Sequence, residues 1–123
     1  MGTRKYFHWK RGSVTRTLFD IVEAYRRQGL ATPFAVRPAG NVLCGACRRE
    51  NPAGLVRLLA LDRPPHEIAP GEHLAVAALE CSSCHVRGTL PLSYGPCAEA
   101  TEDQVYAVFD LAAHGLDPQP SFA

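Results

Sequence analysis

Apolar side chains recur at Val14, Leu18, Ile21, Val22 and Tyr25, one stripe of a helical period. Ser13 or Thr15 supplies an N-cap. Arg26 and Arg27 fall in the last turn, where cations complement the helix dipole, and Gly29 supplies the stop. The pattern predicts a helix over 14–28. Phe34 to Arg37 then reads as a short strand, Pro38-Ala39-Gly40-Asn41 as turn chemistry, and Val42-Leu43 as a returning strand that runs into Cys44. In residues 48–72 the pattern is ambiguous. Leu55, Val56, Leu58, Leu59 and Leu61 suit a short helix or a buried strand, and periodicity does not separate them. Pro64-Pro65 and Pro70-Gly71 mark a connecting loop.

His73 to Glu80 reads as an apolar strand that delivers Cys81, and Val86 to Tyr94 as its return. Gly88 and Pro91 in that return suit an edge or a bulge. A last helix opens with a Thr101/Gln104 capping box, and Glu102 and Asp103 lie in its first turn. Its apolar face is Val105, Val108, Phe109 and Ala112, and Gly115 and Pro118 end it. The expected organisation is a basic aromatic arm over 1–12, one domain over 13–115 and a loose tail over 116–123. The two CxxC units are the only repeat expected.

Composition changes this picture little until it is divided along the chain. The 123 residues carry a formal net charge of only +1, and 46% are apolar, an ordinary globular fraction that excludes wholesale disorder. Residues 1–57 hold 11 basic and 3 acidic side chains, whereas residues 58–123 hold 2 basic and 9 acidic. The excess of Arg over Lys, with 17 Ala, matches the coding bias of a GC-rich bacterial genome. No apolar run is long enough to span a membrane. The basic start lacks the apolar run and small-residue cleavage site of a secretory signal, so the expected compartment is the cytoplasm, where thiols stay reduced.

In a reducing compartment, paired cysteines read first as metal ligands. Cys44-Gly45-Ala46-Cys47 and Cys81-Ser82-Ser83-Cys84 are separated by 33 residues. Two intervening residues let a tight turn aim both thiolates at one point, and two such turns surround a tetrahedral ion. Zn2+ in a structural role is the expected occupant, and iron accepts the same four ligands. Cys81-Ser82-Ser83-Cys84-His85 also fits the haem-attachment pattern, but that reading orphans Cys44 and Cys47, and Met1 is the only methionine. Redox use of Cys44 and Cys47 needs a βαβ setting that the chain lacks. Cys97 is expected to be a small buried hydrophobe. His66, His73, His85 and His114 show no ligand role beside a complete sulfur set.

Strand, CxxC, long insert, strand, CxxC, strand is an order that resembles a zinc ribbon. With a helix at each end it also resembles small bacterial proteins of that layout. Besides the two CxxC units, only Arg87-Gly88-Thr89-Leu90 carries the resemblance. It implies an α+β fold: a zinc ribbon of short antiparallel strands with one helix at each end. It implies no activity. Ribbon knuckles often place Gly after the second cysteine, for a left-handed turn. Arg48 and His85 stand there, and since His tolerates that conformation better than Arg, the first knuckle is expected to be less regular.

The expected function is a noncatalytic zinc-binding module, a regulatory or accessory protein that binds nucleic acid or a complex acting on it. Arg4, Lys5, Trp9, Lys10 and Arg11 interleave bases with an aromatic ring, which suits stacking on single strands. Arg48, Arg49 and Arg87 flank the knuckles and suit phosphates, though cations near a site of net charge −2 are expected from electrostatics alone. The alternative is a protein–protein adaptor with a purely structural zinc. An enzyme has little support: there is no Gly-rich phosphate loop, GxSxG or HExxH, and a solvated helix face accounts for Asp20 and Glu23. The opposite charges of the two halves offer internal neutralisation or self-association as further readings.

Overall fold

The computed structural model describes residues 17–64 and 73–115. The arm residues Arg4, Lys5, Trp9, Lys10 and Arg11, the tail over 116–123, and His66 lie outside the described residues.

Helix α1 spans Leu18–Arg27. Its cap is Thr17 rather than Ser13 or Thr15, because Asp20 stands three residues on. The Thr17 hydroxyl accepts the Asp20 N–H at 3.1 Å, and the Asp20 carboxylate accepts the Thr17 N–H at 3.1 Å. Strand β1 spans Thr32–Arg37, a 3-10 turn Pro38–Gly40, and β2 Asn41–Cys44. The ambiguous stretch after Cys47 resolves into strand β3 (Glu50–Pro52), a 3-10 turn (Ala53–Leu55) and strand β4 (Arg57–Asp62). Strand β5 is His73–Glu80, β6 is Arg87–Tyr94, and helix α2 is Ala100–Ala113. The N-cap of α2 is Glu99, whose side chain accepts the Glu102 N–H at 3.0 Å. Thr101 therefore lies inside the helix.

The six strands form one mixed sheet in the order β3-β2-β1-β6-β5-β4. Each half of the chain supplies an antiparallel three-strand meander, β1-β2-β3 and β4-β5-β6. The expectation of antiparallel strands alone is corrected at their junction. There β1 and β6 run parallel, with Thr32 opposite Gly88 and Pro33 opposite Thr89. This pairing has a consequence for the site. Because β2 opposes β1 and β5 opposes β6, a parallel β1–β6 junction makes β2 and β5 run the same way. Both strands then deliver their CxxC turns to the same end of the sheet. The backbones approach so closely at the junction that a Cβ on Gly88 would collide with the Thr32 carbonyl. Past Thr89 the β1 side of β6 has no register partner, so Pro91 interrupts no β1–β6 ladder.

Helix α2 packs Val105 and Phe109 with Phe34, Val42, Ala77, Leu79, Leu90 and Leu92 in the main core. The alternate β5 residues Val76 and Ala78 are also fully buried, on the face approached by α1, whose Ile21 is 1% exposed. Coverage on both faces explains why β5 reads as a continuous apolar run. The first turn of α2 is tied to β6 by its acids. Glu102 accepts the Ser93 N–H at 2.8 Å and its hydroxyl at 3.0 Å, and Asp103 accepts the Gly95 N–H at 2.8 Å.

Candidate metal centre

Each CxxC turn is built by the same backbone hydrogen bonds. In the first knuckle, Cys44 donates its N–H to the Arg49 carbonyl at 3.0 Å, and Arg48 donates to the Cys44 carbonyl at 3.0 Å. In the second, Cys81 donates to the Val86 carbonyl at 2.9 Å, and His85 donates to the Cys81 carbonyl at 2.9 Å. Arg48 and His85 both take the left-handed conformation, with φ of 65° and 67°. The expected irregularity of the first knuckle is therefore not found, since the same closing bond holds both residues. The first knuckle also leans on the parallel junction: Gly45 donates to the Pro33 carbonyl at 2.9 Å, and a Cβ on Gly45 would strike that oxygen.

The two knuckles meet. Sγ of Cys44 lies 3.8 Å from Sγ of Cys84, and Sγ of Cys47 lies 3.8 Å from Sγ of Cys81. All four sulfurs lie within 4.8 Å of one another. A tetrahedron with Zn–S bonds of about 2.3 Å has edges of about 3.8 Å, so the donor set fits this ion. The distances are far beyond a disulfide bond of about 2.05 Å. Cys44 and Cys81 are buried, Cys47 is half-buried, and Cys84 faces solvent.

Backbone amides point at the sulfurs, as the small residues inside each turn allow. Ala46 N–H lies 3.4 Å from Cys44 Sγ, and Ser83 N–H lies 3.3 Å from Cys81 Sγ. Burial by itself pushes the Cys81 thiol up, but the N–H groups of Cys84 and Ser83 outweigh it, with help from the Cys47 and Cys84 thiols. The net result brings Cys81 down to about 6. Cys84 goes the other way. The Val86 N–H favours its thiolate, but burial and the three neighbouring sulfurs together push it up to about 11. A thiolate favoured at Cys81 suits a metal site, because a bound cation takes up thiolates and displaces their protons.

Arg48 and Arg49 are exposed and make no ion pair among the described residues. Arg87 is engaged instead, its Nε 3.4 Å from Oε1 of Glu80, which Arg57 also approaches at 3.9 Å. Glu80 is 15% exposed and sits one residue before Cys81, and it has no counterpart in the expected site. Its only sequence signal was an acid flanked by Cys81 and, further on, Arg87. Cys97 belongs to neither knuckle, and its expected burial is corrected. It is exposed in the turn after β6, where Ala98 donates to the Gly95 carbonyl at 3.1 Å. His114 is exposed, with Nδ1 2.8 Å from the Asp110 carbonyl oxygen.

The charge split is not closed by ion pairs among the described residues. Arg26–Glu23 and Arg37–Glu50 lie within the basic half, and Arg63–Asp110 and Arg87–Glu80 within the acidic half. Arg57–Glu80 alone of these contacts crosses the division. No helix among the described residues is long and apolar enough to cross a membrane. No family model, curated protein or solved structure matches the chain.

Proposed function

We propose that this chain is a noncatalytic zinc-binding module of zinc-ribbon type, acting as a regulatory or accessory protein in a reducing, cytoplasmic compartment. One Zn2+ held by Cys44, Cys47, Cys81 and Cys84 fixes the two knuckles against each other. The observation that carries this reading is the sulfur spacing of 3.8 Å across both knuckle pairs, which matches a closed four-thiolate shell. Four sulfurs leave no position for a reacting water, so the metal is structural. Iron is the second occupant for the same ligands, and the visible absorbance of its oxidised, ferric form separates it from colourless Zn2+.

The partner in this reading is nucleic acid, free or within a complex that acts on it. Its support is the exposed Arg48 and Arg49 beside the first knuckle, which make no ion pair among the described residues, together with the basic and aromatic residues Arg4, Lys5, Trp9, Lys10 and Arg11. Arg87 contributes less, because Glu80 holds it. The decisive experiment has two parts. Native mass spectrometry of the purified chain reads one zinc per chain, lost on acidification. Retention on immobilised single-stranded nucleic acid falls steeply with salt, and falls again for Arg48→Glu/Arg49→Glu. A fully folded, metal-free chain sinks the first part, and no retention at low salt sinks the second.

A protein–protein adaptor is the second reading, favoured by Phe19 on α1, which is 69% exposed. Recovery of one protein partner from the host, unaffected by nuclease and lost with Phe19→Glu, decides for it.

A further inference from the structure

The two edges of the sheet differ. Strand β3 is three residues long and ends in Pro52, which has no N–H to offer, so it is a blunted edge. Strand β4 is six residues long and free of proline, and among the described residues no strand pairs with its outer side. Its four central residues, Leu58, Leu59, Ala60 and Leu61, are all half-buried. An apolar edge of this kind is a ready template for a further strand.

A bulge gives β4 a second property. Its register steps from Leu58 opposite Leu79 to Ala60 opposite Ala78, so β4 advances two residues while β5 advances one. Faces that would alternate are thereby brought back into phase. Leu58 and Leu61 take the face of Leu79 and Ala77 and pack against the main core. Arg57 and Asp62 take the opposite face, that of Glu80 and Val76. The strand consequently reads the same from either end: a charge on one face, a leucine on the other, two central residues, a leucine, and the opposite charge.

We propose that two copies of this chain join edge to edge through β4, antiparallel, about a two-fold axis between Leu59 and Ala60. In that register Arg57 stands opposite Asp62 of the second copy, and Leu58 opposite its Leu61. Both pairings respect the faces, which they do only because of the bulge. Each copy meets its opposite charge twice, and the isologous contact closes as a dimer rather than a fibre. The Arg57 side chain is 70% exposed, and its long 3.9 Å contact with Glu80 Oε1 through Nη1 leaves further guanidinium N–H groups for the second copy. The Asp62 carboxylate takes the Tyr25 hydroxyl on Oδ2 at 2.6 Å, a bond that fixes its position and leaves Oδ1 for the second copy.

Sedimentation velocity of the full-length zinc-loaded chain across a concentration series tests this. The wild type is expected to dimerise. Arg57→Asp puts acids at both ends of β4, and Asp62→Arg puts bases at both ends. Each reversal alone weakens self-association about tenfold. An equimolar mixture of the two restores it as a heterodimer, because every pair is then complementary. Should Asp62→Arg fail to fold, Arg57→Asp against wild type decides the matter, since that side chain projects into solvent. A wild type that stays monomeric throughout overturns the proposal. So does a dimer whose strength neither reversal changes.

Discussion

Arg48 and His85 hold equivalent places in the two knuckles. Each sits one residue after the second cysteine with φ near +66°, and each donates its N–H to the carbonyl of the first cysteine of its own turn. The conformation that ordinarily favours glycine is thus held twice by side-chain-bearing residues, because the turn must reverse to return both thiolates to one point. The exposed side chains Arg48 and His85 are located by this backbone demand.

Glycine is expected to relieve the strain at Arg48. A left-handed backbone costs a bulky residue about 1–2 kcal/mol, and the added flexibility of glycine in the unfolded chain returns about 0.5–1 kcal/mol of that. Arg48→Gly should therefore raise the melting temperature of the zinc-loaded protein slightly. His85→Gly should gain less, since His tolerates the conformation better. Paired thermal melts check both, and a fall for Arg48→Gly contradicts the account of the turn.

Metal removal should loosen the end of the sheet that carries the cysteines. Chelation or acid is expected to release the ion, because protons compete for the thiolates, and to lower the unfolding temperature steeply. Cys44→Ser and Cys81→Ser should abolish stoichiometric zinc. Cys84→Ser, at the solvent-facing ligand, should retain weaker binding. A zinc-to-protein ratio near one for Cys44→Ser refutes the ligand set.

The parallel junction should be intolerant of any side chain at Gly88. A Cβ there meets the Thr32 carbonyl, which belongs to backbone and cannot swing aside. Gly88→Ala is expected to separate β1 from β6 and weaken zinc binding, although position 88 carries no ligand. Hydrogen exchange at Thr32, Pro33-flanking amides and Thr89 reads the first effect, and competition with a chromogenic chelator reads the second. Phe109→Ala, at 1% exposure in the core, should cost about 3–5 kcal/mol without this selective effect on the metal.

Acid should remove the cap of α2. The Glu102 N–H first, then that of Thr101, holds the Glu99 carboxyl below its ordinary range. A depressed carboxyl contributes stability that is full above its unfolded value and is lost as pH falls through the folded one. Wild type should exceed Glu99→Gln in melting temperature at neutral pH, and the difference should shrink below about pH 4.5. An unchanged difference in acid removes Glu99 from the capping role.

Several elements were legible because their cause is local. The stop of α1 at Arg26, Arg27 and Gly29, the β1–β2 turn, the apolar run of β5 and the two CxxC spacings each depend on residues a few positions apart, whereas the Thr17/Asp20 cap of α1 lies two to four residues beyond the Ser13 or Thr15 expected. The stretch from Leu55 to Leu61 was not legible, for a specific reason. The bulge between Leu58 and Ala60 places Leu58 and Leu61 on one face of a strand, and a spacing of three is also the signature of a helix. The cap of α2 is not announced locally, because Thr101 and Gln104 form a convincing local pair. Glu99 reaches the Glu102 N–H first, while Glu102 and Asp103 are turned toward β6. Residue type alone places Cys97 inside, but a turn at the end of the sheet leaves it outside.

The sequence by itself determined the donor set. Two CxxC units with small residues inside each turn specify four thiolates of suitable geometry whatever surrounds them, and the apolar periods specify helices and strands to carry them. Only the tertiary structure decided that these four sulfurs share one point. That depends on the direction in which β2 and β5 run, and so on whether β1 and β6 pair parallel or antiparallel. The choice is made between Thr32 and Gly88, residues 56 positions apart. It rests on a backbone approach that the absence of a Cβ permits but no local pattern announces.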